Sequence, residues 1–437
     1  MLSLEKVPDH RSCERNEYRR RAGYVTFIET VRTHGRRNVI PAIFGAIIPV
    51  AVISSKAIML LLIAAFFAVL PAIIRDRLAL GSALREYRSI TIAICLLLTW
   101  GMLSAVWSID PAESVVKALK LTAASFMGGI IVIGVGLTSA TQKQRIVNAI
   151  ISGIIVALCF TALRYAWIHL RPETNGFPEG LDPISALNPG LTVLAVLFWP
   201  VMAELSVRSS WKTLAGVGIV LASLLAVSTS GSAVLAVLMG AIGFTAAAIW
   251  PRVATYVIAF VLFAGIVSAP FIASRLSADM RLPYLTKSLS GSAYHRVYIW
   301  EFAAEKSLSR PVLGWGLASS RAIPGGSEKP PVGTAYLPLH PHHAGLQIWL
   351  ELGGVGALLA GIISVMAVLR RQTRHHTRLS LCVLAGTALS IASVAFTAYS
   401  TWQSWWVAMI WLTCGILVGF RPSSSAPPGT GHGPHDA

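Results

Sequence analysis

The sequence has 437 residues, of which 54% are hydrophobic and only 13% charged, and its mean hydropathy is +0.65. These values exclude a soluble globular domain, since apolar runs of about eighteen or more residues, each long enough to cross a bilayer as a helix, recur along the chain. The formal net charge of +17 is concentrated in the N-terminal segment and short loops, where Lys and Arg set topology. A nucleic-acid partner is therefore not expected.

The chain predicts an all-α polytopic membrane protein with about twelve transmembrane helices and one large periplasmic loop containing short amphipathic helices. Residues 1–38 form a basic cytoplasmic segment without the apolar core of a secretory signal. Residues 39–272 hold helices one to nine, 273–343 the periplasmic loop, 344–420 helices ten to twelve, and 421–437 a disordered cytoplasmic tail. The predicted spans are 39–54, 57–74, 89–107, 119–137, 146–170, 187–205, 212–228, 231–249, 253–272, 344–369, 379–398 and 403–420.

The basic loops between these spans all fall on one side, which the positive-inside rule makes cytoplasmic. Their cations are Arg75, Arg77, Arg85, Arg88, Lys143, Arg145, Arg208, Arg370, Arg371, Arg374 and Arg378. The opposite loops carry the acids Asp110, Glu113, Glu173, Glu179, Asp182 and Asp279. This alternation predicts a multi-pass protein of the bacterial inner membrane with both termini in the cytoplasm and its site in the periplasm.

The five cysteines indicate no covalent or metal framework. Four lie in apolar spans, one lies in the basic N-terminal segment, and no CxxC motif occurs among Cys13, Cys95, Cys159, Cys382 and Cys414. A disulfide set or a zinc site is therefore not expected.

The large loop contains a predicted amphipathic helix, SAYHRVYIWEFAAEKSLSR. Val297, Trp300, Ala304 and Leu308 recur at helical spacing, so we expect the helix to lie in the membrane interface with Trp300 as its anchor. The segment from Pro311 to Gly316 ends it.

The loop leads into HPHHAGLQIWLELGGVG, His340 to Gly356, where three histidines precede an apolar helix that carries one carboxylate, Glu351. Imidazole titrates near neutral pH and is a natural proton acceptor at a water-exposed surface. The segment therefore predicts general-base chemistry at one face of the membrane.

Four motifs in order resemble the O-antigen ligase and polysaccharide polymerase superfamily, especially its exopolysaccharide polymerase-like branch. They are WSIDP (Trp107 to Pro111), NPGLTVLAVLFWP (Asn188 to Pro200), RVYIWEFAAEKSLSRPVLGWGLASSR (Arg296 to Arg321) and HPHHAGLQIWLELGGVG. The resemblance implies transfer of a glycan from undecaprenyl diphosphate to an acceptor hydroxyl, with no metal or other cofactor. The acceptor is either another carrier-linked glycan (polymerase) or a lipid A-core sugar (ligase).

The resemblance also implies roles for individual residues. The family's histidine, which is followed by asparagine, aligns with His342, so His342 becomes the general base and His343 takes the asparagine's place. Arg296 is the first candidate for the donor diphosphate, followed by Arg164, Arg275 and Arg321. His340, His343 and Glu351 support the site. The chain departs from the family at Pro189 and Gly231, where a cation is usual.

Each assignment has a structural alternative. His342 would otherwise cap the following helix, Arg296 would lie at the membrane interface, and Arg164 would reach outward to the headgroups. Glu351 pairs either with an arginine such as Arg164 or with polar neighbours in helix packing. Asp110 and Glu113 are expected to form a turn and a helix start.

The functional alternatives belong to different classes. A polymerase-type transferase is slightly favoured by the fourth motif, an O-antigen ligase acting on lipid A-core is the second hypothesis, and a non-enzymatic transporter of polysaccharide or lipid is the third. Expected partners are the glycan donor, its acceptor, membrane lipids and other polysaccharide-assembly proteins.

Overall fold

The computed structural model describes residues 38–75, 77–170, 187–209, 211–226, 228–275, 291–331, 333–370 and 377–420. Within these ranges the chain is helical and contains no β-strand. The predictions for the N-terminal segment and the C-terminal tail lie outside the described residues. So do those for Cys13, Glu173, Glu179, Asp182, Asp279, Arg371 and Arg374.

Sixteen helices follow one another along the described chain. The first eight are α1 (38–45), α2 (Ile47–Ile53), α3 (Ile58–Arg75), α4 (Arg77–Glu86), α5 (Arg88–Leu103), α6 (Pro111–Leu137), α7 (Ala140–Leu170) and α8 (Asn188–Arg208). The others are α9 (Trp211–Ala226), α10 (Gly231–Ile249), α11 (Pro251–Val267), α12 (Ala269–Ala273), α13 (Gly291–Ser309), α14 (Ala344–Leu369), α15 (Arg378–Ala395) and α16 (Ser404–Gly419).

The protein is a polytopic all-α membrane protein. Among the residues that the structure describes, eight helical segments are long and apolar enough to cross a membrane, and α9, α11 and α16 are shorter apolar helices. Several elements differ from the predicted spans. The span 39–54 is divided into the short helices α1 and α2. Helix α6 begins at Pro111 rather than near residue 119, because the Asp110 carboxylate caps it by accepting the Glu113 N–H at 3.1 Å. Residues 77–86, expected as a loop, form α4 because they are rich in strong helix formers.

The helices pack closely where small residues face a neighbour. Helix α10 packs along α15, α11 along α14, and α6 along α16. At Gly243 of α10 an added Cβ would lie only 2.6 Å from the carbonyl oxygen of Ala385, so the two backbones need a residue without a side chain there. Of these contacts, the one with α11 joins α14 to the bundle.

The amphipathic helix α13 packs against α12 and α14. Val297 and Ala304 of the expected apolar face are buried. Tyr298, Ile299 and Ala303 are buried, whereas Leu308 is 36% exposed. The Trp300 indole N–H donates to the Pro341 carbonyl at 2.9 Å. This indole fastens α13 to the histidine loop, and its role as a membrane anchor stays a prediction.

Candidate active site

The histidine loop, residues 340–343, turns sharply into the N-terminus of α14. His342 has φ 55°, in the left-handed region that L-residues with side chains rarely adopt. Such a conformation costs about 1–3 kcal/mol and persists where surrounding contacts fix it. The contacts of the three imidazoles account for it.

The ring of His342 is fixed in one tautomer. Its Nδ1 lies 2.5 Å from the carbonyl oxygen of Ala398, in the loop between α15 and α16. A carbonyl only accepts, so Nδ1 carries the proton and donates, and in the neutral ring the lone pair is on Nε2. His342 is thus oriented as a base with Nε2 as its reactive atom.

The surroundings of His342 keep the ring neutral. Burial lowers the pKa of His342 below its ordinary value, the bond to Ala398 partly opposes this, and the charges of Arg296 and His295 lower it further. A ring with a lowered pKa is unprotonated at neutral pH, which is the form a general base requires.

His340 lies against His342, with 4.2 Å between the ring centroids. Its Nε2 lies 3.4 Å from the same Ala398 carbonyl. Burial and the neighbouring His342 lower the pKa of His340 to about 4, and Arg321 and Arg296 contribute to that shift. His340 is therefore a second neutral ring that packs against His342.

His343 caps α14, which makes it, and not His342, the histidine that caps the helix. Its Nδ1 accepts the Leu346 N–H at 3.3 Å, as an Asn or Asp side chain does at an N-cap. Its ring packs between Trp300 and Phe396, and burial lowers the pKa of His343 to about 4. The residue in the position of the family's asparagine thus makes an asparagine-like contact.

Two of the predicted arginines lie near the histidines. The charge of Arg296, half-buried on α13, lowers the pKa of both His340 and His342, and that of Arg321 lowers the pKa of His340. Burial also lowers the pKa of Arg296, yet an arginine stays protonated in a protein. A cationic, partly desolvated surface therefore borders the imidazole pair.

The other two arginines are placed differently. Arg164 of α7 donates from Nη1 to the Val52 carbonyl at 3.3 Å, and Arg275 is exposed in the turn after α12. Across the described chain, no hydrogen bond or ion pair joins either of them to the histidine loop.

Glu351 is fully buried in α14 and accepts four hydrogen bonds from neutral donors. One oxygen accepts from Ser320 Oγ at 2.5 Å and Gln347 Nε2 at 3.0 Å, the other from Ala318 N at 2.5 Å and Trp402 Nε1 at 2.7 Å. The pairing with Arg164 was wrong. Glu351 instead joins the end of the third motif to the α15–α16 loop.

Helix α14 is broken at Gly353, nearly three turns after His343, and the sequence analysis did not predict this break. Gly353 has φ 63° and ψ −167°, a region almost confined to glycine. The break frees the Leu350, Glu351 and Leu352 carbonyls, which accept from Trp315 N, Gly316 N and Trp100 Nε1 at 2.9, 2.8 and 3.0 Å. The PVLGWG segment, expected only to end α13, therefore supplies backbone donors inside the bundle.

The first motif and the serines on either side of it contact the PVLGWG segment and Leu317, which follows it. The Trp107 indole donates to the Leu313 carbonyl at 3.2 Å, Ser104 Oγ accepts the Leu317 N–H at 2.9 Å, and Ser114 Oγ donates to the Leu317 carbonyl at 2.6 Å. Asp110 is the helix cap described above, in line with its expected structural role.

The second motif reaches the site through the α15–α16 loop. Thr192 Oγ1 lies 3.4 Å from the Tyr399 hydroxyl, and Tyr399 follows Ala398, whose carbonyl holds His342. In the same loop Thr401 N donates to Gln347 Oε1 at 2.9 Å, and Gln347 Nε2 donates to Ser400 Oγ at 3.0 Å. Residues 399–402 are Tyr, Ser, Thr and Trp between two apolar spans, and these polar and aromatic side chains are the sequence signal for this part of the site.

No group of three or more His, Cys, Asp or Glu side chains in the described part of the chain is arranged to hold a metal ion. The fold and the site together define a polytopic membrane protein in which four separate motifs meet around a histidine loop at one end of the bundle.

Comparisons with known proteins give the same class. Residues 216–361 match the sequence profile of the family described as O-antigen ligase. Relatives named "Putative polysaccharide ligase" occur in Rickettsia conorii (26% identical, covering 74% of this chain and 78% of the relative), Rickettsia felis (27%, 78% and 83%) and Rickettsia typhi (25%, 75% and 80%). The chain is therefore similar to the O-antigen ligase superfamily, both over residues 216–361 and along about three quarters of its length.

Proposed function

We propose that this enzyme transfers a glycan from undecaprenyl diphosphate to an acceptor hydroxyl, at the periplasmic side of the bacterial inner membrane and without a metal. The observation that carries the proposal is the state of His342: Nδ1 is held by the Ala398 carbonyl, which leaves Nε2 as an unprotonated base beside the cation Arg296. The alternation of basic loops in the sequence supports the periplasmic placement.

In the proposed reaction, His342 Nε2 removes the proton from the acceptor hydroxyl. The acceptor oxygen forms a bond to the anomeric carbon of the donor while the bond from that carbon to the diphosphate oxygen breaks, and the diphosphate leaves with the electron pair. The proton then passes from Nε2 to solvent. A positioned base of this kind contributes about 10² to 10⁴ in rate.

Arg296 is the first proposed ligand for the leaving diphosphate and Arg321 the second, because both charges are felt at the imidazole pair. A guanidinium matches phosphate oxygens through two parallel N–H donors. Burial is the main cause of the lowered pKa of His342, and the charges of Arg296 and His295 add to it. A bound diphosphate would offset those charges and raise this pKa, so the donor would strengthen the base that attacks it. Arg164 and Arg275 stay predictions as further ligands.

Two acceptors fit this chemistry. The fourth motif favours the polymerase type, in which the acceptor is another carrier-linked glycan, whereas the names of the family and of the Rickettsia relatives favour a ligase. A deletion strain distinguishes them. Single repeat units on the surface would indicate a polymerase, and full-length polymer that never reaches lipid A-core would indicate a ligase.

The proposal is tested with purified protein, a radiolabelled carrier-linked glycan and each acceptor in turn. We expect a new glycosidic bond with one of the two acceptors. Labelled glycan that crosses the bilayer of reconstituted vesicles without forming such a bond would replace the proposal by transport.

A further inference from the structure

A large cavity lies among α4, α5, α6 and the last three helices. Its volume is about 1210 Å³, above the range of about 300–1000 Å³ usual for small-molecule pockets. One end is lined by Leu317, Leu352, Thr401 and Trp402, and the other by Glu86, Tyr87, Lys143 and Arg370. None of the residues that line it belongs to the histidine loop.

The cavity has the length and lining of a space for hydrocarbon. Along α6 it is lined from Ala118 to Leu137, a distance of about 28 Å at 1.5 Å per helical residue. A bilayer has a hydrocarbon core of about 30 Å. Between its ends the wall is mostly apolar, with residues such as Ile94, Leu98, Val132, Ile133 and Ile410. A chain lying parallel to the surrounding lipids would fill it.

The Lys143 end of the cavity is cationic. Lys143 is only 7% exposed, and its Nζ donates to the Gly136 carbonyl at 2.8 Å. The Arg370 guanidinium lies 4.3 Å from the Tyr87 ring centroid and 3.9 Å from Glu86 Oε1. Lys143 and Arg370 thus place two cationic groups in the wall of this end of the cavity. Such a group favours a phosphate, whose oxygens accept charge-assisted hydrogen bonds.

We propose that this cavity binds an anionic phospholipid of the membrane, with the phosphate at Lys143 and Arg370 and an acyl chain running towards Trp402. The glycan donor is a poorer fit to this arrangement. Its diphosphate is assigned above to Arg296 beside the histidine loop. His343 and Arg370 lie at the two ends of α14, about 40 Å apart at 1.5 Å per helical residue. The two lipid sites would therefore present phosphates to opposite ends of the bundle.

The bound chain would also brace the candidate active site. Trp402 lines the cavity and donates to Glu351, and the Thr401 N–H is held by Gln347. An acyl chain in the cavity would pack against Thr401 and Trp402. Lipid binding would thereby stabilise the α15–α16 loop, which orients His342.

The test uses the full chain purified in detergent and two glycine variants. Gly129 lines the cavity, whereas Gly216 of α9 lies outside it. At both positions an added Cβ would meet no atom within 4 Å. Gly129→Phe should place a ring in the space for the acyl chain and lose the phospholipid that co-purifies with the wild type. Gly216→Phe is the matched control and should retain it.

A second variant tests the headgroup. Lys143→Gln keeps a donor for the Gly136 carbonyl but removes the charge. Dioleoylphosphatidylglycerol added to delipidated wild-type protein should raise its melting temperature more than dioleoylphosphatidylcholine does. Lys143→Gln should bind the anionic lipid about tenfold more weakly, the loss expected for one charge-assisted hydrogen bond.

The proposal fails if Gly129→Phe retains as much phospholipid as Gly216→Phe, if the two dioleoyl lipids act equally on the wild type, or if mass spectrometry recovers a polyprenyl carrier in place of a phospholipid. None of these results depends on glycosyl transfer, so the lipid site and the proposed function are judged separately.

Discussion

His342 Nδ1 and the Ala398 carbonyl oxygen lie 2.5 Å apart, although the two residues belong to different loops. Ala398 precedes a polar loop that Gln347 and Glu351 hold through Ser400, Thr401 and Trp402. The tautomer of the proposed base is therefore set by a loop that the buried polar residues of α14 keep in place.

The first prediction concerns Arg296 and the pH dependence of transfer. The positive charge of Arg296 disfavours the imidazolium and lowers the pKa of His342, so the ring stays neutral to a pH below its ordinary value. Arg296→Gln should raise the pKa of His342, shift the acid limb of kcat/KM to higher pH, and raise KM for the donor. The measurement is kcat/KM against pH.

Arg310→Gln is the control for that experiment. Arg310 lies just after α13 and stacks on Trp315 at 3.8 Å, and it is not among the groups that shift the histidines. An acid limb that stays in place in Arg296→Gln, or moves equally in Arg310→Gln, would show that Arg296 does not act on His342.

The second prediction concerns the four hydrogen bonds that Glu351 accepts. The Glu351 carboxylate accepts hydrogen bonds from four donors. In Glu351→Gln an NH2 group would face two of these donors and could not accept their hydrogen bonds. Each buried group left without a partner costs about 1–3 kcal/mol, so we expect a loss of about 2–4 kcal/mol in the free energy of unfolding. Glu113→Gln, at a side chain that is 46% exposed, should change stability by less than about 0.5 kcal/mol. Equal losses of unfolding free energy in the two variants would contradict a stabilising role for the Glu351 hydrogen bonds.

The third prediction concerns the break in α14. Gly353 occupies a backbone region almost confined to glycine, and an added Cβ would collide with the Val312 carbonyl. Gly353→Ala should therefore lower the free energy of unfolding by more than about 2 kcal/mol. Gly218→Ala, on a helix with open space around the added atom, should be neutral or stabilising by up to about 1 kcal/mol. Thermal unfolding in detergent measures both, and a harmless Gly353→Ala would mean that the helix is continuous.

The fourth prediction separates the two adjacent histidines. His343→Asn keeps a side-chain acceptor for the Leu346 N–H and should retain transfer, whereas His343→Ala should destabilise the protein by about 1 kcal/mol through loss of the cap. Initial transfer rates and melting temperatures of both variants provide the check. Loss of transfer in a folded His343→Asn protein would move the base from His342 to His343.

The sequence predicted the helical class and most of the spans because apolar length is a local property that the sequence displays directly. It also predicted that Arg296 and Arg321 lie near the histidines, through their shared motif. It did not reveal the Ala398 carbonyl, since a backbone acceptor has no sequence signature. Of the two alternatives for Glu351, the ion pair with Arg164 was wrong and the polar packing contact was right. Spacing does not show which distant loops supply the neutral donors.

The most direct test of the central claim compares His342→Asn with the wild type in a reconstituted transfer assay. Asparagine tolerates the left-handed backbone found at residue 342, so the variant should fold and keep the wild-type melting temperature while losing the base. The account predicts a fall in the transfer rate of about 10² to 10⁴ with the acceptor that the wild type uses. A folded His342→Asn protein that transfers glycan at the wild-type rate would contradict it.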